Sequence, residues 1–361
     1  MEHKRPHPDA APAGSYARFH RRKWLALAAL LAGLIAVALF SLTTGSSGIT
    51  LGQVLEAVLG RGTAQTAAIV FRVRLPRVAT AVAVGAALAL SGCVMQNVLH
   101  NPLASASTLG VSQGAAFGAA LAIIALDAGV QNAANAGTAI TIRSPGTVTV
   151  CAFLGGLATT ALVLSFSRLR GVSPAAMVLA GVAFSSMFTG ATTLLQYFAD
   201  DVQVATVVYW TFGDLGRPGW REICIISLTT ALSLLFFLWN RWNYNALESG
   251  PATAKSLGVN VEGLSYASMA LCTLIAAMSV AFVGVISFVG LVAPHMVRRF
   301  TGSDYRFLIP GSALAGSTLL LLGDLASKRV LSPVVLPIGA ITSFLGAPLF
   351  LWMLFKRRAQ L

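Results

Sequence analysis

"GLSYASMALCTLIAAMSVAFVGVISFVGLVAPHMVRRF" runs from Gly263 to Phe300. It is too apolar for a solvated surface and too long for one membrane helix. At 1.5 Å per residue it would extend about 57 Å, against a hydrocarbon core of about 30 Å. The chain therefore has to reverse within it, near Gly284–Gly290. That makes two spans, the second short or irregular. Irregular backbone at membrane depth must be buried in protein, since lipid offers its N–H and C=O groups no partner. Arg298 and Arg299 close the second span at a membrane face. His295 lies less than one turn inside that end, with no second His, Cys or carboxylate nearby, and reads as a packing residue rather than a ligand or proton carrier.

The rest of the chain agrees. Of 361 residues, 56% are hydrophobic and 10% charged, where a soluble domain carries about 25% charge. The apolar residues fall in blocks of roughly 17–24, long enough to cross a bilayer. "WLALAALLAGLIAVALFSL", Trp24–Leu42, does not alternate and so does not belong to an outer-membrane barrel. The expected fold is all-α and polytopic, with ten spans near Trp24–Leu42, Val78–Leu99, Thr108–Leu126, Thr147–Phe166, Ala175–Phe198, Ile223–Trp239, Leu264–Val283, Val285–Val297, Phe307–Leu322 and Val334–Phe355. Residues 1–23 are polar, basic and proline-containing, and read as a disordered tail. "HRRKWLAL" faintly resembles a twin-arginine signal, but the apolar stretch is long and lacks an A-x-A site, so an uncleaved first span is expected. The transmembrane domain is placed at 24–361.

The net charge of +13 invites a nucleic-acid partner, but its distribution gives topology instead. Most Lys and Arg, including Arg21, Arg22, Lys23, Arg168, Arg170, Arg298, Arg299, Lys356, Arg357 and Arg358, fall on the side that holds both termini, which is then cytoplasmic. The outer side keeps Arg61, Arg72, Arg74, Arg77, Arg143, Arg217, Arg221, Lys328 and Arg329. No nucleic acid is needed.

Several chemistries are missing. Cys93, Cys151, Cys224 and Cys272 form no C-x-x-C pair, and neither a metal site nor a disulfide framework is expected. A pump or secondary transporter would place ionisable groups at mid-membrane. Here Asp324 is the main exception, near the outer end of the ninth span, with Lys328 one helical turn on. No catalytic motif or cofactor site is found, so no enzyme activity is expected. "GPATAKSLG", Gly250–Gly258, lacks the second glycine and the strand that a phosphate-binding loop requires. Energy for transport would come from a separate subunit.

"RVRLPRVATAVAVGAALALSGCVMQNVLHNPLASASTLGVSQGAAFG", Arg72–Gly118, resembles the FecCD-type permeases of ABC importers for iron–siderophores, haem and cobalamin. So do "MVLAGVAFS" (177–185), "AKSLGV" (254–259), "GVISFVGLVAPHMVRRFTGSDYRFLIPGSALAG" (284–316) and "LPIGAITSFLGAPLFLWML" (336–354). The resemblance implies a permease subunit in a bacterial cytoplasmic (inner) membrane, dimerising with a second copy or a paralogue about a central path. A cytoplasmic ATPase dimer, which uses the ATP, would sit below it and a periplasmic substrate-binding protein above. It makes "GLVAPHMVRR" a structural signature. Ferric-siderophore uptake is the expected function, with haem or cobalamin as alternative cargo. An ion-coupled secondary transporter is the alternative of another class.

The same resemblance assigns residues. Arg74, Arg77 and Lys328 would grip acidic residues on the two lobes of the binding protein, with Arg72 and Arg329 as weaker candidates. Asn101 and Leu103, facing Pro174 and Ala175, would form the inner gate. Residues 243–262, with Gly250, Pro251, Lys255, Leu257 and Gly258, would couple to the ATPase through a pair of short helices. Gly85, Gly92, Gly110, Gly114 and Gly118 lie in spans expected near the path, with close helix packing as the other reading. Two positions depart from the family: Pro251 where a glutamate is usual, and Val335 where an outer carboxylate is usual.

Overall fold

The computed structural model describes residues 13–45, 48–128, 130–131, 141–142, 144–170, 174–331 and 334–358. All ten expected spans are helices: α1 (Ala13–Thr43), α4 (Leu75–Val98), α5 (Val111–Ile124), α6 (Pro145–Arg170), α7 (Pro174–Tyr197), α9 (Trp220–Trp239), α12 (Val261–Val283), α13 (Val289–Thr301), α14 (Tyr305–Arg329) and α15 (Ile338–Arg358). Between them lie the short helices α2 (Leu51–Val58), α3 (Ala64–Ile69), α8 (Asp201–Thr211), α10 (Arg241–Glu248) and α11 (Pro251–Ser256), and a π-helical turn at Val70–Arg74. Two two-residue strands, Val130–Gln131 and Thr141–Ile142, pair antiparallel in the loop after α5.

Seven of these helices are long and apolar enough to cross a bilayer alone, and Val111–Ile124 and Ile338–Met353 are shorter apolar stretches. Helix α13, with 13 residues, reaches only about 20 Å. The short helices need protein around the backbone that continues them, and the reversal after α12 shows how that is met. Helix α12 ends at Val283, Gly284 turns with φ +90°, and Phe288 takes a left-handed φ of +65° before α13 begins. A Cβ on Gly284 would lie 2.5 Å from the Trp210 carbonyl oxygen, so both the sign of φ and the space require glycine. Asp214 N–H donates to the Val283 carbonyl at 2.8 Å, and Gly339 N–H to that of Phe212 at 3.0 Å. The loop between α8 and α9 and the start of α15 thus supply hydrogen bonds that lipid cannot.

The first span corrects the expected tail. Residues 1–12 lie outside the described residues, but α1 is already helical at Ala13, eleven residues before Trp24. Pro12 is the last helix breaker before it. Lys23 is buried on this extension, 3.6 Å from the Asp304 carboxylate.

Helix α4 is the centre of the molecule, packed against α14, α12, α13 and α9, while α5 packs mainly on α6 and α7. Glycines set these contacts. A Cβ on Gly85 would strike the backbone at Gly316 of α14, one on Gly92 that of Gly290 of α13, and those on Gly114 and Gly118 the backbone of α6 at Gly155 and Cys151. For these four the packing reading holds over path lining. Gly110, with φ +85°, starts α5 beneath Ser185 of α7.

Candidate functional site

The two ends of α4 gather the polar groups that a membrane interior otherwise excludes. At the outer end, the π-helical turn and Pro76 lead into α4 and direct Arg74 and Arg77 inward. Arg74 is only 6% exposed and its Nη1 donates to the Leu42 carbonyl at 2.6 Å. Arg77 Nε donates to Asp324 Oδ1 at 2.7 Å, and its Nη1 lies 3.2 Å from Asp214 Oδ1. Lys328 Nζ stands 2.6 Å from Asp324 Oδ2, and that carboxylate has no exposed surface. The Asp324–Lys328 pair was legible as an i, i+4 spacing; Arg77 as its third member was not. Of the expected docking residues, Arg74 is turned into the protein, its guanidinium donating to the end of α1. Arg77 and Lys328 are committed to Asp324, because a buried carboxylate requires cations.

Beside this network lies a cavity of about 540 Å³, lined by Arg77, Asp214, Arg217, Tyr209, Trp210, Phe212 and Val335 among others. Arg217 has no side-chain hydrogen bond or ion pair among the described residues, and burial lowers its pKa from the ordinary arginine value, with Asp214 opposing. In the sequence this arginine bears only on topology. Its signal there is an uncompensated cation on the disfavoured side.

At the inner end, α10 and α11 form the expected pair of short helices. Gly250, with φ +107°, turns the chain between them, and Gly258, with φ +83°, ends the second. Pro251, Lys255 and Gly258 are exposed, and Leu257 is an exposed apolar tip at 67%. On the opposite face, Tyr244 and Leu247 are buried. Tyr244 Oη and Ser268 Oγ of α12 lie 2.7 Å apart, and burial pushes the Tyr244 phenol above its usual pKa. Asp304, the N-cap of α14, is held by Arg306 at 2.7 Å. Burial raises its carboxyl, but Arg306 and Lys23 outweigh this and bring the pKa to about 2.

The expected gate residues divide. Leu103 is 42% exposed, and Asn101 is used locally, its Oδ1 accepting from Leu103 N–H at 2.8 Å. Pro174 and Ala175 open α7, but their side chains lie outside the described residues. His295 Nε2 lies 2.8 Å from the Pro102 carbonyl oxygen, next to Leu103. No group of three or more His, Cys, Asp or Glu able to hold a metal occurs among the described residues.

Comparisons with known proteins agree with this arrangement. The pattern of the FecCD transport family matches residues 33–356. A Methanocaldococcus jannaschii protein named as an ABC transporter permease is 47% identical over 341 residues, covering 94% of this chain and 97% of its own. The hemin transport system permease HmuU of Yersinia pestis is 36% identical, covering 80% and 83%. The vitamin B12 import permease BtuC of Shigella boydii is 34% identical, covering 93% and 96%. The solved structure of a metal-chelate type ABC transporter in an inward-facing conformation superimposes with a TM-score of 0.79 at 31% identity, covering 91% of this chain and 98% of its own. By the extent of these matches and the ten-helix fold, the chain is a multi-pass membrane protein of the FecCD transport family, the permease subunit of an ABC importer.

Proposed function

We propose that the chain imports a ferric siderophore across a bacterial cytoplasmic membrane, as one of two copies about a central path. A cytoplasmic ATPase dimer binds α10 and α11 at Gly250, Pro251, Lys255, Leu257 and Gly258. A periplasmic binding protein docks on the outer rim, where an acidic residue of the partner displaces Asp214 from Arg77, with Lys328 behind it and Arg74 contributing field rather than contact. The inner gate lies at Asn101 and Leu103, facing Pro174 and Ala175. The second copy would cover α7, the least buried of the seven long spans, whose Leu179, Val182, Met187 and Leu194 are exposed. ATP is consumed by the partner; this chain holds no cofactor of its own.

The observation that carries the cargo reading is Arg217. A guanidinium with no hydrogen bond or ion pair among the described residues, in a cavity with Tyr209, Trp210 and Phe212, suits an anionic chelate with aromatic or carboxylate groups. A corrinoid, with mainly neutral amides and a single phosphodiester, is a poorer match for this cation and its aromatic surroundings. Haem, with two carboxylates, is the second reading, and HmuU is a relative named for it.

The test is uptake into proteoliposomes holding the permease, its ATPase subunit and its binding protein. Radiolabelled iron on an anionic catecholate siderophore should enter only when ATP is supplied, and cyanocobalamin should not enter. Uptake driven by an ion gradient without ATP would overturn the importer reading. Entry of cyanocobalamin but not iron would overturn the cargo.

A further inference from the structure

The inner end of α4 holds a part-buried chain of hydrogen bonds that neither the family match nor the proposed docking at α10 and α11 explains. Its hub is Glu248, the exposed last residue of α10. Glu248 Oε2 accepts from Asn97 Nδ2 at 3.1 Å and from the Tyr305 hydroxyl at 3.2 Å. Tyr305 in turn accepts from Arg298 Nη2 of α13 at 3.0 Å. Asn97 also donates to the Tyr244 carbonyl at 3.2 Å, and Tyr305 N–H to Asn245 Oδ1 at 2.9 Å. Helix α10 is thus gripped along one face by α4 and α14, with α13 joined to it through Tyr305, and Tyr244 and Tyr305 are fully buried.

Two routes lead from this hub to the loop carrying Asn101 and Leu103. On α4, Asn97 sits in the last turn, directly before that loop; Asn101 N–H still bonds to the Gln96 carbonyl at 3.1 Å, across His100 with its left-handed φ of +43°. On α13, Arg298 and His295 are three residues apart and share a face. A carbonyl only accepts, so the His295 Nε2 at 2.8 Å from the Pro102 oxygen carries the proton. The loop is therefore held on one side by α4, bonded directly to α10, and on the other by α13, linked to α10 through Tyr305 of α14.

The hub is not fully satisfied. Asn97 Oδ1, Gln96 Oε1 and Arg298 Nε are buried without a hydrogen-bond partner among the described residues. Unpaired buried polar atoms are costly, and they favour an element with a second arrangement in which the missing bonds form. Such a two-state element is what transmission between sites requires.

We infer that Asn97, Tyr305, Arg298 and His295 are positioning residues that convert movement of α10 into movement of the gate loop at Leu103. The inference rests on the proposed docking of an ATPase at α10 and α11. It explains why polar groups lie buried at this end. It also gives the histidine of "GLVAPHMVRR" a role, which is to carry the displacement of α13 to the Pro102 carbonyl.

The test uses the full complex of permease and ATPase in lipid nanodiscs, with a nitroxide at L103C in a cysteine-depleted background and ATP with vanadate as the driver. In the otherwise wild-type protein, ATP with vanadate should shift the distance between the labels of the two copies. Tyr305→Phe keeps the ring and removes the hydroxyl hub; His295→Leu removes the grip on Pro102. Each should reduce the equilibrium for the ATP-driven shift by about tenfold, within the range of ordinary coupling energies, while the partner continues to hydrolyse ATP. His295→Gln, which retains an N–H donor, should restore the shift. A purely structural role would instead lower the melting temperature and the yield of complex, with the shift intact in what assembles. An undiminished shift in both variants would overturn the relay. Failure of the wild-type chain to bind the ATPase, or of ATP to move its label, would overturn the proposed function and the relay with it.

Discussion

The two ends of α4 meet the same problem, polar groups in an apolar bundle, with different chemistry. The outer end uses charge: Asp324 between Arg77 and Lys328, with Asp214 on the exposed side. The inner end has its ion pairs at the start of α14, Asp304 with Arg306 and Lys23, but ties α4 to α10 through hydrogen bonds to Glu248, with Asn97 Oδ1 and Gln96 Oε1 lacking partners among the described residues. Ion pairs at short distance in a low-dielectric setting are stiff and costly to separate. Single hydrogen bonds, even to one charged group, are exchanged for about 1–3 kcal/mol each. The outer end is built as a clamp between α4 and α14, which the contact of Gly85 with Gly316 reinforces; the inner end is built to be rearranged.

That contrast can be broken at its stronger side first. Asp324→Asn leaves two cations facing each other without a carboxylate. The expected loss is about 3–5 kcal/mol, read as a large fall in the thermal unfolding midpoint of the purified permease. Arg77→Gln made together with it should cost less than the sum of the two single changes, since both act on one network. A midpoint within a degree of wild type for Asp324→Asn would mean that the outer network is no clamp.

The inner end should respond less. Tyr244→Phe removes one side of the hydroxyl pair and leaves Ser268 buried and unpaired, with an expected cost of about 1–3 kcal/mol by the same unfolding measurement. A loss as large as that of Asp324→Asn would erase the difference between the ends.

Much of this architecture is legible from the sequence, and the part that is not has a common cause. Ten spans follow from apolar block length, and the reversal at Gly284 from the excess length of Gly263–Phe300. The Asp324–Lys328 pair follows from spacing along one helix. The two short helices α10 and α11 follow from resemblance. What fails is every contact between distant elements: Arg77 with Asp324 is separated by 247 positions and Asn97 with Glu248 by 151. Local periodicity carries no record of such partners. Arg74 shows the consequence, since a cation at a membrane boundary reads as exposed until the end of α1 folds over it. His295 is a similar case, since its partner, the Pro102 carbonyl, is visible only in the fold.

Everything proposed for the inner end depends on the ATPase subunit binding at the exposed tip of α10 and α11 and driving the bundle from there. Leu257→Asp is the sharpest probe of that contact, because Leu257 is 67% exposed. The measurement is the affinity of the nanodisc-embedded permease for its purified ATPase subunit, with the unfolding midpoint as control. The expected result is a loss of more than about 1 kcal/mol, at least about fivefold weaker binding, with an unchanged midpoint. Wild-type affinity in the variant would contradict it.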